Sequence, residues 1–290
     1  MNQSPKKLII KDKNTVETYP LDEILNKTLF GDALKILKKI PSNSVDLVFL
    51  DPPYYLQLPQ KQLKRWNVKT SVEGVDDDWD KFESFEDYDN FIKKILVETK
   101  RIMKEKAALW IISTYHSIFR IGAILQDLEY WLLSNVIWLK TNPMPNWLGV
   151  RFTNATETLI WAIKNKDVKG YTFDKNAAKK YGIGKVGANV WTIPLCTGKE
   201  RMKDNEGKKL HSTQKPIELL KRIILTTSKE GDIILDPMAG LGTAGYVAKA
   251  LKRDFIMIEK EEKYIEGIQR RFEEELLIDF EKEKIRKDIS

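Results

Sequence analysis

Two carboxylates stand at the ends of apolar runs and are followed at once by proline: Asp51 in VDLVFLDPPYY (45–55) and Asp236 in DIILDPMAGLGT (232–243). Val45 and Leu47 to Leu50 read as a buried strand. Proline cannot donate to a ladder, so that strand must stop at Asp51-Pro52-Pro53-Tyr54. A plain connection would use Gly, Asn or Asp-Gly. Here the chain places a carboxylate, a rigid backbone and a ring at the mouth of a sheet. The exocyclic amine of a nucleobase is a poor nucleophile, because its lone pair is delocalised into the ring. Two acceptors on its N–H groups favour pyramidal geometry and build the lone pair up again. The Asp51 carboxylate and the Pro52 carbonyl suit that task, and Tyr54 offers a face on which a flipped-out base stacks, worth about 1–3 kcal/mol. A rigid strand terminator with a surface tyrosine would carry the same residues.

The second motif, GDIILDPMAGLGTAGYVAKALKRDFIMIE (231–259), reads as strand, glycine turn, helix, strand and acid. Gly240, Gly242 and Gly245 fit G-x-G-x-x-G, with Asp236, Pro237, Met238 and Ala239 leading into the turn and Thr243 opening the helix. Glu259, followed by Lys260, ends the next strand, where a carboxylate can accept both hydroxyls of an adenosine ribose. The spacing also admits NAD, and a glycine turn that only packs a helix on a strand has the same letters. Asp236-Pro237 is unusual for NAD, and a dehydrogenase would leave residues 51–54 without a task. Ligands of parallel α/β sheets sit beyond the carboxyl ends of strands at a topological switch point. If the strands ending at Asp51 and Asp236 are neighbours, both motifs face one cleft.

The elements that must position these residues alternate. Strands are expected at 45–50, 107–113, 131–138, 158–163, 232–235 and 255–258. Helices are expected over 86–104 and 117–128, from Pro216, from Thr243, and to about Phe280. Tyr88, Phe91, Ile95, Ile102 and Met103 form the apolar stripe of the first helix. This alternation predicts an α/β fold with a mostly parallel sheet covered on both faces. Residues 55–80 are polar, mixed and too long for an ordinary connection, which marks a mobile or functional loop. Between Asn165 and Leu210 the pattern breaks into Lys, Gly and Asn with short apolar pieces.

With 290 residues and 42% hydrophobic content, the chain can build a real core as a single domain. It has no apolar run of about 18 residues, and MNQSPKKLIIKDKN lacks the apolar centre of a signal peptide. A single cysteine, Cys196, excludes an internal disulfide and fits the cytoplasm. His116 and His211 are the only histidines, which argues against a His/Cys metal site, while these counts leave a carboxylate magnesium site open. From Lys140 to Leu210 there are 14 Lys and Arg against 6 Asp and Glu, while the whole chain carries +7. The excess positive charge is thus confined to one segment of an otherwise neutral body, as in a protein that meets a polyanion such as nucleic acid, or one with a lysine-rich solvated face.

DPPY followed far downstream by DPMAGLGT resembles the beta group of DNA amino-methyltransferases that use S-adenosylmethionine, in which the catalytic motif precedes the cofactor motif. VDDDWDKFESFEDYDNF (75–91), STYHSIFRIGAILQDLEYW (113–131), WLKTNPMPNWLGVRFTNATETLIWA (138–162), WTIPLCTGKERMK (191–203) and HSTQKPIELLKRIIL (211–225) are similar to the cell-cycle-regulated and HinfI-type adenine methylases of that group. The resemblance runs over about residues 28–275. It implies a Rossmann-like class I fold with a seven-stranded sheet, motif order permuted. The expected activity is transfer of a methyl group from S-adenosylmethionine to adenine N6 in double-stranded DNA, without a metal or a covalent enzyme intermediate. By the same resemblance, Asp32 in FGDAL lies near the cofactor adenine, although aspartate before an apolar run also caps helices. His211, Thr213, Gln214 and Lys215 of HSTQKP hold the methionine end of the cofactor, with Lys215 on its carboxylate, although a Pro-started helix reads alike. Lys140, Asn142 and Asn146 of KTNPMPN and the following Arg151 lie against DNA, and 165–210 is an inserted target-recognition region. Leu58, Lys64 and Arg65 belong to the DNA-contacting loop 55–80.

The chain departs from the family pattern at Met238 and Leu241, where Phe and Ser are usual, and at Ser212, where Pro is usual. It ends at Ser290, without the C-terminal extension of the longer cell-cycle enzymes. The resemblance points to GANTC as target, a homodimer, a possible cognate restriction endonuclease, and a cytoplasmic, nucleoid-associated protein. N4-cytosine methylation on the same scaffold, a DNA-binding module without activity, and an RNA or protein substrate are the alternatives.

Overall fold

The computed structural model describes residues 8–13, 15–56, 63–64, 71–72, 80–146, 149–181, 187–204 and 206–273. In chain order its elements are β1 (Ile9–Lys11), α1 (Leu21–Ile24), β2 (Lys27–Phe30), α2 (Ala33–Leu37), β3 (Val45–Leu50), β4 (Leu63–Lys64), β5 (Ser71–Val72) and α3 (Phe85–Ile102). There follow β6 (Met103–Ser113), α4 (Ile118–Asp127), β7 (Trp131–Lys140), β8 (Thr156–Ile163), α5 (Lys175–Ala178), β9 (Val190–Ile193), α6 (Ile217–Thr227), β10 (Ile233–Asp236), α7 (Thr243–Ala250), β11 (Asp254–Glu259) and α8 (Glu262–Glu273). Among the described residues no helix is long and apolar enough to cross a membrane.

One sheet of nine strands runs β1-β2-β11-β10-β3-β6-β8-β7-β9, and β4 and β5 form a separate ribbon. The expected seven strands become nine because short edge strands extend the sheet at both ends. β1 and β9 have only 3 and 4 residues, too few to show a period in the sequence. All neighbours from β1 to β6 are parallel, and β8 is antiparallel to both β6 and β7. The chain leaves β3 through α3 for β6 on one side, and β10 through α7 for β11 on the other. β3 and β10 are hydrogen-bonded neighbours, with Leu235 opposite Val48. The boundary between them is therefore the switch point, and Asp51 and Asp236 lie side by side there.

Residues alternate between two cores because successive side chains of a strand face opposite ways. Val48 and Leu50 of β3 pack with α2, α3 and α4, while Leu47 and Phe49 pack with α6, α7 and α8. Ile256 and Ile258 of β11 face the first core, and Phe255 and Met257 face the second. Helix α3 starts where Ser84 accepts a hydrogen bond from Asp87 N, and it carries Lys100 and Arg101 in its last turn. It ends two residues before the expected boundary, because Met103 already pairs with Val45 at the start of β6. The segment 165–210 is more than an insertion. Its Val190–Ile193 stretch pairs with β7, and Trp191 packs 5.8 Å from Trp110 in the second core.

Gly245 shows why the third glycine of the turn motif is needed. A Cβ there would lie 2.5 Å from Met257 Sδ and 3.0 Å from Phe255 Cδ2, so α7 could not approach β11 as closely. Gly245→Ala is expected to cost on the order of 1–3 kcal/mol through overpacking, read as a lower midpoint in thermal unfolding; an unchanged midpoint would show that the contact relaxes freely.

Candidate active site

Four parallel strands deliver the site. β2, β11, β10 and β3 end at one edge of the sheet, and the residues just beyond them line a single cleft that contains Asp32, Asp51, Tyr54, Lys215, Asp236 and Glu259. The Asp51–Tyr54 turn and the glycine turn after Asp236 thus open onto one cleft.

The turn after β3 is held by a residue to which the sequence reading assigned no role. Asp80 Oδ1 accepts the backbone N–H groups of Tyr54 (2.5 Å) and Tyr55 (2.7 Å), and Oδ2 accepts that of Leu56 (2.8 Å). These bonds support a left-handed backbone at Tyr55, φ 50°, which a side chain of this size rarely adopts. Pro52 and Pro53 are buried, and the Pro53 carbonyl accepts from Tyr88 Oη at 2.9 Å. Asp80 belongs to the acidic stretch 76–80, where no local feature distinguishes the aspartate that folds back.

Asp51 is not isolated. Lys215 Nζ lies 2.7 Å from its Oδ2, and Tyr54 Oη lies 3.0 Å from its Oδ1. Burial raises the Asp51 pKa, and the Lys215 ammonium and Tyr54 hydroxyl pull it only partly back. Burial alone would lower Lys215, but Asp51 and Glu157 overcome this and leave it raised, so it stays a cation. Tyr54 Oη also lies 2.9 Å from Glu157 Oε2, and Lys140 Nζ pairs with Glu157 Oε1 at 2.9 Å. Lys140 is 8% exposed; the expectation that it contacts DNA gives way to a buried ion pair with Glu157. Glu157 was missed. Its sequence signal was a carboxylate at the start of an apolar strand, next to a strand that closes on lysine.

On the glycine-loop side, Ala239 N donates to Ile258 O, and Gly242, with φ 68°, precedes α7. Pro237, Met238, Ala239, Gly240, Thr243 and Lys260 line the cleft. Gly242 lies outside that lining and packs toward Met257 and Ile268. Glu259 accepts from Gly240 N through Oε2 at 2.7 Å, and from Lys260 N and Glu261 N through Oε1 at 2.8 and 2.9 Å. A carboxylate has about four acceptor positions, so one remains, on Oε2, for a single further donor rather than a pair. Burial pushes Glu259 up to about 7 against the pull of these three N–H groups. Burial also drives Asp236 well above the ordinary carboxylate range, reinforced by Asp51 and Glu259. Asp32 caps α2 by accepting from Lys35 N, and it also faces the cleft.

The 211–215 segment divides. Burial drives the His211 imidazole down to about 3, helped by Lys215, so the ring is neutral, and its Nδ1 accepts from Thr213 N at 3.0 Å. Thr213 lines the cleft. Gln214 also lines the cleft, with Oε1 accepting from Met202 N and Nε2 donating to Glu200 O. In the loop between β7 and β8, Asn142 Oδ1 accepts from Leu195 N, Asn146 Nδ2 donates to Arg151 O, and the Arg151 side chain is exposed. Lys64 lies on the β4–β5 ribbon, while Leu58 and Arg65 lie outside the described residues.

A family model described as DNA methylase matches residues 45–270. The chain belongs to this DNA methylase family. The Type II methyltransferase M.HinfI of Haemophilus influenzae is 49% identical over 254 residues, covering 88% of this methylase and 70% of its own length. Among solved structures, an M1.HpyAVI–SAM complex superposes with a TM-score of 0.60 at 24% identity, covering 84% of this chain and 98% of its own. The cytosine-N4-specific PvuII DNA methyltransferase superposes with a TM-score of 0.64 at 18% identity, covering 90% of each chain. The structural likenesses show the fold, α/β with a mostly parallel sheet.

Because three backbone donors converge on Asp80, Asp80→Ala should destabilise this methylase by on the order of 3 kcal/mol and release the turn after β3. Denaturant unfolding and methyl transfer, measured on the same preparation, should both fall. Full activity in a destabilised variant would show that the turn holds its shape without Asp80.

Proposed function

We propose that this methylase moves a methyl group from S-adenosylmethionine to the N6 amine of an adenine flipped out of double-stranded DNA, within GANTC. The observation that carries the reading is the neighbouring of β3 and β10, which puts Asp51 at the mouth of the glycine-loop cradle. The cradle suits an adenosine with an attached amino acid. Gly240 brings its backbone so close that a Cβ would lie 3.1 Å from His211 Nε2. Glu259 keeps one acceptor position for a ribose hydroxyl, and Asp32 stands further along the same edge. When bound, S-adenosylmethionine supplies the methyl group on a sulfonium. This chain's residues do the rest by positioning and electrostatics. Asp51 accepts from the target amine, the Tyr54 ring carries the base, and Lys215 keeps the buried carboxylate charged and reaches toward a cofactor carboxylate.

The target reading rests on the long blocks similar to HinfI-type methylases. A site with a free central pair requires reading of the outer pairs only. Exposed Arg151 suits the two acceptors of guanine, and carboxamides such as those of Asn142 and Asn146 suit adenine. The basic residues between 165 and 210 and the 55–80 segment with Leu58, Lys64 and Arg65 supply further contacts to phosphate and groove. A nearly palindromic site suits a homodimer, and such an enzyme works beside a cognate endonuclease or alone. Sequencing of modified bases after expression in a methylation-free host should find N6-methyladenine in GANTC. N4-methylcytosine, or methyladenine only in other motifs, would overturn the base or the site assignment respectively.

The Glu259 carboxyl makes a second test. A ribose hydroxyl donates best to the ionised form, and Glu259 ionises only near pH 7. Cofactor affinity should therefore rise as pH increases to about 7 and level off above it. Glu259→Gln should flatten that dependence and weaken binding by on the order of 1.5–3 kcal/mol at high pH. Calorimetric titration across this range decides; a wild-type affinity without pH dependence would contradict the role.

A further inference from the structure

Tyr54 has one hydroxyl proton and two carboxylate oxygens within hydrogen-bond distance, Asp51 Oδ1 at 3.0 Å and Glu157 Oε2 at 2.9 Å. A phenol donates only once. With both carboxylates ionised, one of these contacts sets an oxygen lone pair against another. With one additional proton in the chain, both contacts become hydrogen bonds. That proton can sit on either carboxyl, and the two arrangements interconvert by moving one proton across each bond.

The surroundings favour such a unit. Asp51 and Tyr54 come from the β3 turn, Glu157 from the start of β8, Lys140 from the end of β7, and Lys215 from the segment before α6. Lys215 bonds Asp51 at one end, and Lys140 bonds Glu157 at the other at 2.9 Å. Tyr54, Glu157, Lys140 and Lys215 are 5%, 8%, 8% and 6% exposed, so solvent has little access to the chain from its sides. Formal charge balances when both carboxylates are ionised and the phenol is neutral, and methyl transfer moves one positive charge from the sulfonium to the amine beside Asp51.

We propose that Glu157 is a positioning residue for methyl transfer: through Tyr54 it holds the proton that the target amine gives up. The proposal rests on the amine-methylation reading above. In the reaction the N–C bond forms as the S–C bond breaks, with its electron pair remaining on sulfur. The nitrogen then carries one proton too many. That proton passes to Asp51 Oδ1. Tyr54 takes it from Asp51 while giving its own hydroxyl proton to Glu157. Asp51 is left ionised, and the proton rests beside Lys140, away from the methylated amine, until it exchanges with solvent.

The test is single-turnover methylation of an adenine duplex by wild type, Glu157→Gln, Tyr54→Phe and the double variant. Glu157→Gln keeps the shape and an acceptor oxygen but cannot take the proton. It should slow transfer by about tenfold or more, with cofactor and DNA dissociation constants within about twofold of wild type. Both Glu157→Gln and Tyr54→Phe should alter the pH–rate profile of transfer, and Tyr54→Phe, which retains a stacking ring but breaks the link, should reproduce the loss of rate. The double variant should be no slower than the worse single variant, because residues acting as a unit are non-additive. Glu157→Asp should recover part of the rate. Wild-type rates in Glu157→Gln, or losses that multiply in the double variant, would overturn the relay. If Glu157→Gln unfolds, an unaltered pH–rate profile in Tyr54→Phe overturns it instead. Absence of methylation by the wild type on every adenine duplex would fail the functional reading itself, a distinguishable result.

Discussion

A carboxylate that must accept hydrogen bonds from a substrate amine has to remain ionised in a place from which water is excluded. Burial opposes this, and at the carboxyl edge of this sheet three acids share the problem: Asp51, Asp236 and Glu259. The ion pair between Lys215 and Asp51, at 2.7 Å, is the interaction that makes the arrangement workable. Removing one partner of such a pair leaves an uncompensated buried charge, which typically costs about 3–5 kcal/mol. The cation arrives from a different part of the chain, just ahead of α6. Formation of the site therefore waits on docking of that helix against the sheet. The segment bearing Lys215 is also tied to the 3-10 turn at Gly198–Glu200 through Gln214 and Glu200.

The remaining acids are handled differently. Asp236 has a single backbone donor, Met238 N, and stands near Asp51 and Glu259, so the protonated form is favoured. Glu259 has three backbone donors and sits between the two limits. Glu157 has Lys140 and the Tyr54 hydroxyl. Neighbouring acids with such different environments can do different work, one as acceptor for a substrate, one as a cofactor anchor, one as a brace for the loop. The strong shifts thus follow from crowding several strand ends at one switch point.

Much of this edge was legible in the sequence because its signals are local. An apolar run broken by Asp-Pro marks a strand end, and glycines after the second run mark a turn that brings backbone close to a ligand. Helix α3 announced itself by its apolar stripe of Tyr88, Phe91, Ile95 and Ile102. The edge strands were not legible, since a few residues carry no period, and β9 lay inside a Lys- and Gly-rich stretch. Asp80, Glu157 and Lys140 escaped for another reason. Their partners are distant in sequence, and an acid in an acidic stretch or a lysine in a basic loop reads as solvated surface. Lys140 was placed on DNA by the resemblance of its KTNPMPN loop, whereas pairing across the β7 and β8 ends buries it. Glu259 was recognised by position, but its backbone bonds, which halve the capacity imagined for it, become visible only when the turn closes over it.

The proposed mechanism divides the labour at the switch point: the glycine-loop side would bind the cofactor, and the Asp51 side would activate the amine. Asp51→Asn keeps the side-chain shape and removes the charge. The direct measurement is single-turnover transfer of labelled methyl to duplex DNA by this variant, alongside calorimetric titration with S-adenosylmethionine. The variant should fold, bind the cofactor within about an order of magnitude of wild type, and lose at least about a hundredfold in the transfer rate. Transfer near the wild-type rate, or a loss explained wholly by failure to bind the cofactor, would contradict that division.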